Sequence, residues 1–217
     1  MKHLRIETAA VVFLGMLVFP IYAAAQIPDL ELPEDPYERG VVLLGRGKYA
    51  EARALFDEVL EADPCRKDAM YHRGAALLGL DHIDEAWEGF SRILELDPES
   101  ALGHVGRAKV WIKRKNYTEA MKSVDDALKW DPKSADALYE KGNVFGWQKK
   151  TDDAITFYRK THEVAPNHAY AHYQIGLAYN QKKRKDLAIV HLDKFLVLAS
   201  HAPEAEQVRS LLNFLRK

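Results

Sequence analysis

Residues 92–101 read RILELDPESA. Ile93, Leu94 and Leu96 recur at helical spacing, Asp97-Pro98 interrupts the pattern, and Ser100 stands where it can cap a following helix. The chain makes nearly the same stop three more times. VLEADPCRKDA ends at Ala69, ALKWDPKSADA at Ala137 and THEVAPNHAYA at Ala171. Their prolines, Pro64, Pro98, Pro132 and Pro166, fall 34 residues apart.

Working outward from these stops, five units of 34 residues fill positions 33–66, 67–100, 101–134, 135–168 and 169–202 without insertion or deletion. Small residues recur at Gly40, Gly74, Ala108, Gly142 and Gly176, and again at Ala52, Ala86, Ala120, Ala154 and Ala188. A large apolar position holds Leu43, Leu77, Trp111, Phe145 and Tyr179; a second holds Phe56, Phe90, Val124, Tyr158 and Leu192. The fifth unit has Ser200 at the proline position, with Pro203 just beyond.

This pattern resembles the tetratricopeptide repeat, W-x2-L-G-x2-Y, then A-x3-F, then P. The resemblance implies an all-α fold, a right-handed α-solenoid of tandem helix-turn-helix repeats. It departs from the pattern at two slots. The tryptophan slot holds Pro36, Met70, His104, Leu138 and His172, and the leucine slot holds Arg39, Arg73, Arg107 and Lys141 before Ile175.

In the second unit the spacing predicts helices over about Asp68 to Leu80 and Asp84 to Leu96. Gly74 and Ala86 would let their backbones approach, with Leu77, Phe90 and Ile93 around that contact. A single helix pair cannot bury its apolar side alone, so the units must stack. Residues 203–217, PEAEQVRSLLNFLRK, read as a final helix with Val208, Leu211, Leu212 and Leu215 on its apolar stripe and Glu204, Glu206, Arg209 and Lys217 toward water. Such a helix either caps the last unit or binds a partner.

The resemblance places the first helix of each unit on the concave side. One row there is Tyr37, Tyr71, Val105, Tyr139 and Tyr173. Val41, Ala75, Lys109, Asn143 and Leu177 follow four residues on, and Glu34, Asp68, Leu102, Asp136 and Tyr170 precede by three, all on one helical face. Tyr37, Tyr71, Tyr139, Tyr173, Lys109, Asn143, Asp68 and Asp136 are therefore the candidate partner-binding residues. Tyrosine offers a large contact area with a polar tip; the same residues would equally serve packing between helices. The two-carboxylate clamp with which some members of this family grip chaperone tails is missing, because tyrosine replaces its lysines. Acidic residues beside tyrosine favour a neutral or basic segment.

The turns inside the pairs carry cations: Arg46 and Lys48, then Lys113, Arg114 and Lys115, then Lys149 and Lys150, then Lys182, Lys183, Arg184 and Lys185. Stacking would align them as a basic rim. Cations at helix C-termini complement the dipole; a continuous rim would also meet an anionic membrane surface or acidic partner. His168 and His172 stand four apart with His162 nearby, a spacing compatible with metal ligation, but without HExxH or CxxC no metal is expected. With no nucleophile or acid–base constellation and no phosphate-cradling glycine loop, the expectation is no cofactor and no enzyme. A regulatory or accessory subunit of an enzyme or secretion complex is the alternative.

A formal net charge of −1 argues against nucleic acid as a partner. The single cysteine, Cys65, excludes an internal disulfide. Residues 1–25 read as a signal peptide: a basic start at Lys2, His3 and Arg5, an apolar run from Ala9 to Phe19, and Ala23-x-Ala25 as a cleavage signal. Eleven helical residues span about 16 Å, roughly half a bilayer's hydrocarbon core. An uncleaved membrane anchor is the alternative. Residues 26–32 form an acidic, proline-containing linker. The sequence thus describes an exported, periplasmic or secreted, non-catalytic scaffold that binds a protein or peptide.

Overall fold

The computed structural model describes residues 32–217; the signal segment and all of the linker but Leu32 lie outside them. The described residues form eleven helices and no strand: α1 Pro36–Gly45, α2 Tyr49–Ala62, α3 Lys67–Gly79, α4 Ile83–Leu96, α5 Ala101–Lys113, α6 Tyr117–Trp130, α7 Ala135–Trp147, α8 Thr151–Val164, α9 Ala169–Gln181, α10 Lys185–Leu198 and α11 Ala205–Leu215. Each odd-numbered helix from α1 to α9 packs against the helix after it, and each pair packs against the next. The result is a right-handed α-solenoid, with α11 resting on α10.

Each helix stops for a local reason. At the end of α4 the residue before proline is driven extended, with Asp97 at φ −151° and ψ 92°. Asp97 O then accepts from Ser100 N, and Asp97 Oδ1 from Glu99 N. The same backbone turn recurs at Asp63, Asp131, Ala165 and Ala199. Ser100 and Ser134 cap α5 and α7 through their hydroxyls, and His168 caps α9 through Nδ1, 3.0 Å from Ala171 N. Inside each pair the turn is a Schellman motif. Gly47, Asp81, Lys115, Lys149 and Lys183 take φ between 59° and 74°. The next N–H reaches five residues back, as from Lys48 to Leu43 and from Asn116 to Trp111.

The small position decides how closely a pair packs. A Cβ on Gly74 would stand 2.5 Å from the Phe90 ring and one on Gly176 2.7 Å from Leu192, and one on Gly142 would collide with the Tyr158 ring. In the third unit both partners change together: Ala108 has a methyl, and the facing residue shrinks to Val124, with both fully buried. Volume is conserved across the contact.

Polar contacts also repeat between units. The basic residues in the leucine slot reach the second helix of the unit before: Arg73 pairs with Asp57, Arg107 donates to Ser91 Oγ at 3.3 Å, and Lys141 to Asp125 Oδ1 at 2.6 Å. Arg39 has no unit before it and donates instead to the carbonyls of Pro33 and Glu34. His104 and His172, in the tryptophan slot, bring Nε2 to the carbonyls of Pro98 and Pro166 at 3.2 and 3.3 Å. Both departures from the family pattern are therefore joints between units.

The contact at Gly176 can be tested by a double-mutant cycle. Gly176→Ala should destabilise by about 1–3 kcal/mol through overpacking and Leu192→Val by about 1 kcal/mol through lost burial. Together they recreate the Ala108–Val124 pairing, so urea denaturation should give a double-mutant loss smaller than the sum; additive losses would contradict volume matching.

Candidate functional site

The curl of the solenoid brings its ends together. A Cβ on Gly47, in the α1–α2 turn, would lie 2.6 Å from Cγ of Pro203, in the α10–α11 loop. The concave side thereby becomes a chamber of about 480 Å³. Every first helix contributes to it: Val41 and Leu44 from α1, Tyr71 and Ala75 from α3, Lys109 from α5, Asp136, Tyr139 and Asn143 from α7, and Tyr170 from α9. A larger depression of about 630 Å³, on the outer face around Asp57, Arg73 and Arg92, is more open.

Ionisable groups in the chamber are tied into one network. Lys109 Nζ lies 3.0 Å from Glu140 Oε1. Glu140 Oε2 accepts from Asn143 Nδ2 at 2.9 Å, and Asn143 Oδ1 from the Tyr158 hydroxyl at 2.9 Å. Burial opposes the charge on Lys109, but the carboxylates of Glu140 and Asp136 hold its pKa well above the usual lysine value. The Tyr71 hydroxyl donates to Asp136 Oδ2 at 3.3 Å, and the Tyr170 hydroxyl to Glu204 Oε2 at 3.0 Å. Burial raises the pKa of Tyr71, Tyr139 and Tyr170, so these hydroxyls stay protonated donors. His168 Nδ1 is occupied as the acceptor of the α9 cap, so the neutral ring carries its proton on Nε2, 4.0 Å from Asp136 Oδ1. Burial pushes the His168 pKa down to about 4, against the pull of Asp136.

The structure divides the candidate residues. Tyr71, Tyr139, Lys109, Asn143 and Asp136 meet in the chamber. Tyr37, Tyr173 and Asp68 do not line it. Tyr37 bonds His72 Nδ1 at 3.1 Å beneath the Arg66 guanidinium, Tyr173 packs on the Phe195 ring at 5.0 Å, and Asp68 pairs with Arg66 and accepts from Ala69 N. At these positions packing and capping compete successfully with exposure to the groove. Several lining residues stand outside the predicted rows, among them Tyr49, His72, Glu140 and Glu204. Glu204, expected to face water, turns inward to Tyr170. Tyr49 comes from a second helix, and its ring also meets Gly79.

The basic rim is a charged edge with its own anions. Arg114 and Lys182 reach Asp84 and Asp152 of the preceding units, Lys113 lies 3.8 Å from Asp81, and Arg184 lies 3.6 Å from Asp186. Lys150 Nζ lies 5.7 Å from the Phe145 ring centroid. Lys115, Lys149 and Lys183 hold the left-handed turn positions, and Lys185 opens α10. Among the histidines, His162, His172 and His191 gather, with centroids 4.8 and 5.2 Å apart, whereas His168 faces the chamber. Among the described residues no group of three or more His, Cys, Asp or Glu is placed to hold a metal ion.

Family models of the tetratricopeptide repeat match residues 37–101, 73–135, 136–168 and 169–199. The chain belongs to the tetratricopeptide repeat family. A thermophilic tetratricopeptide repeat protein of Thermus thermophilus superposes with a TM-score of 0.69 at 19% identity, over 84% of this chain and 98% of its own. A tetratricopeptide repeat protein from Parabacteroides merdae gives the same TM-score, 0.69, at 19% identity, over 84% of this chain and 70% of its own. These similarities establish a shared solenoid fold. No curated protein matches the chain.

Acid should loosen this solenoid. His168 and His172 are buried, and burial holds both near pKa 4, below their ordinary 6.5. The unfolded chain therefore binds their protons first. Stability is full above about pH 6.5 and falls as the pH drops toward 4, with His168 accounting for roughly 3 kcal/mol of the loss. His168→Asn keeps a capping side chain without the titrating ring, so its urea midpoint should decline less steeply over pH 6.5–4 than the parent's. An unchanged slope would contradict the assignment.

Proposed function

We infer that this chain, as a tetratricopeptide repeat protein, is a protein–protein interaction scaffold. It binds a peptide segment of a partner protein in the concave chamber, acting without catalysis. The observation that carries this reading is the convergence of Tyr49, Tyr71, Tyr139 and Tyr170, one from each of four units, on one cavity beside fixed polar groups. Rigid amphipathic side chains of this kind bind with little loss of rotamer freedom. A volume of about 480 Å³ suits a few side chains and not a folded domain.

The proposal extends to location. The basic start, short apolar run and Ala23-x-Ala25 signal support export, with the scaffold working in the cell envelope or beyond it. In that setting the partner is a protein and not nucleic acid, in keeping with a net charge of −1. The neutralising carboxylates along the turn edge weigh against the rim as the main contact surface.

One experiment addresses both claims. Photoreactive phenylalanine analogues at Tyr139 and at the outward-facing Trp147, 61% exposed, are irradiated in native cells. Tyr139 should give a discrete partner adduct and Trp147 none, and the mass of the recovered chain should lack residues 1–25. Equal adducts from both positions would overturn the chamber as the binding site; an intact N-terminus would overturn cleavage.

A further inference from the structure

The chamber carries a charge imbalance of one sign. Asp136, Glu140 and Glu204 line it against Lys109 and Lys113. Lys113 also lies 3.8 Å from Asp81, which is outside the lining, and Lys109 is already matched by Glu140 at 3.0 Å. His72 and His168 add no positive charge at neutral pH, because burial lowers the pKa of both. A guest carboxylate would meet excess negative charge here; a guest cation would reduce it.

Two further observations point the same way. Tyrosine faces attract cations through the ring quadrupole, and the chamber already contains one such pairing, with Lys109 Nζ 5.8 Å from the Tyr71 ring centroid. Tyr49, Tyr139 and Tyr170 offer further rings. His72, only 3% exposed, supplies an acceptor. Its Nδ1 lies 2.9 Å from Asp68 O and 3.1 Å from the Tyr37 hydroxyl; the carbonyl can only accept, so Nδ1 carries the proton, and Nε2 of the neutral ring is a bare lone pair with no hydrogen-bond partner. An unpaired buried acceptor favours a donor, and lysine and arginine side chains bring only donors.

We propose that the chamber selects a basic peptide segment, seating a lysine or arginine side chain among the tyrosine rings between Asp136 and Glu204. This rests on the reading of the chamber as a peptide site and names what the peptide must carry. Asp136 and Glu204 supply the charge, the rings supply contact area and cation attraction, and Glu140 keeps Lys109 from repelling the guest.

The test is selection of a phage-displayed random dodecapeptide library on the full chain, counter-selected on Tyr139→Ala. Enrichment of lysine- or arginine-containing peptides that depend on Tyr139 supports the proposal. A selected basic peptide should bind Asp136→Asn/Glu204→Gln at least about tenfold more weakly, and its affinity for the parent should fall with added salt. Circular dichroism of the double variant checks that the helices persist; the single variant Glu204→Gln serves if they do not. Tyr139-dependent peptides without a cation, or with acidic residues, would overturn the basic selectivity while leaving the chamber as a peptide site. No Tyr139-dependent enrichment at all would overturn both.

Discussion

The contact between a bare backbone position and a large side chain governs this molecule. In four of five units glycine on the first helix lies against Phe56, Phe90, Tyr158 or Leu192 of the second, so close that a methyl would collide. Phe90 is held from two sides, because Gly106 of the following unit presses on the same ring and leaves no room for a Cβ. The first helices can therefore crowd together on the inside: α1, α3, α5 and α7 pack successively on one another, whereas α2, α4, α6 and α8 pack only on first helices. A unit denser on one side than the other is a wedge, and stacked wedges curl. Here the curl proceeds until Gly47 meets Pro203.

Closure changes the chemistry of the concave side. In an open groove, tyrosines and carboxylates would be solvated separately. Within the chamber Tyr71, Tyr139 and Tyr170 are shielded enough to keep their hydroxyl protons, and Lys109 keeps its charge only through its neighbours. Removing one partner of such a buried pair leaves an uncompensated charge, so the network fixes the side chains that a guest would meet. A preorganised site loses less entropy on binding.

The repeat was legible because each signal has a local physical cause. Pro98 forces Asp97 extended, Ser100 caps, and Gly74 admits Phe90; all three are visible within one unit of sequence. The five-fold phase then places Tyr71, Lys109, Asp136, Tyr139 and Asn143 on one side without further information. Other residues depended on longer-range geometry. Glu204 faces inward, and Tyr49 joins it, only because the solenoid curls far enough to bring residues 155 positions apart in sequence near one cavity. Tyr37 and Tyr173 share the period of Tyr71 but stand in the terminal units, where α1 lacks a preceding unit and α9 faces α10 and the cap. The rim illustrates a different failure: its cations are plain in the sequence, but the acidic partners Asp84 and Asp152 lie 30 residues upstream and adjoin them only after stacking. An Ala50–Leu80 pair and a Thr118–Gln148 pair occupy the equivalent positions where no charges are used.

Wedge-shaped units that curl the scaffold around a chamber must bring its two ends together, and the distance between those ends reports the curl. With Cys65 replaced by serine, spin labels at Lys48 and His201, both exposed and adjoining the Gly47–Pro203 contact, would be measured by double electron–electron resonance. A curled scaffold gives one short, narrow distance distribution. A broad or long distribution would show an open solenoid and contradict the curl.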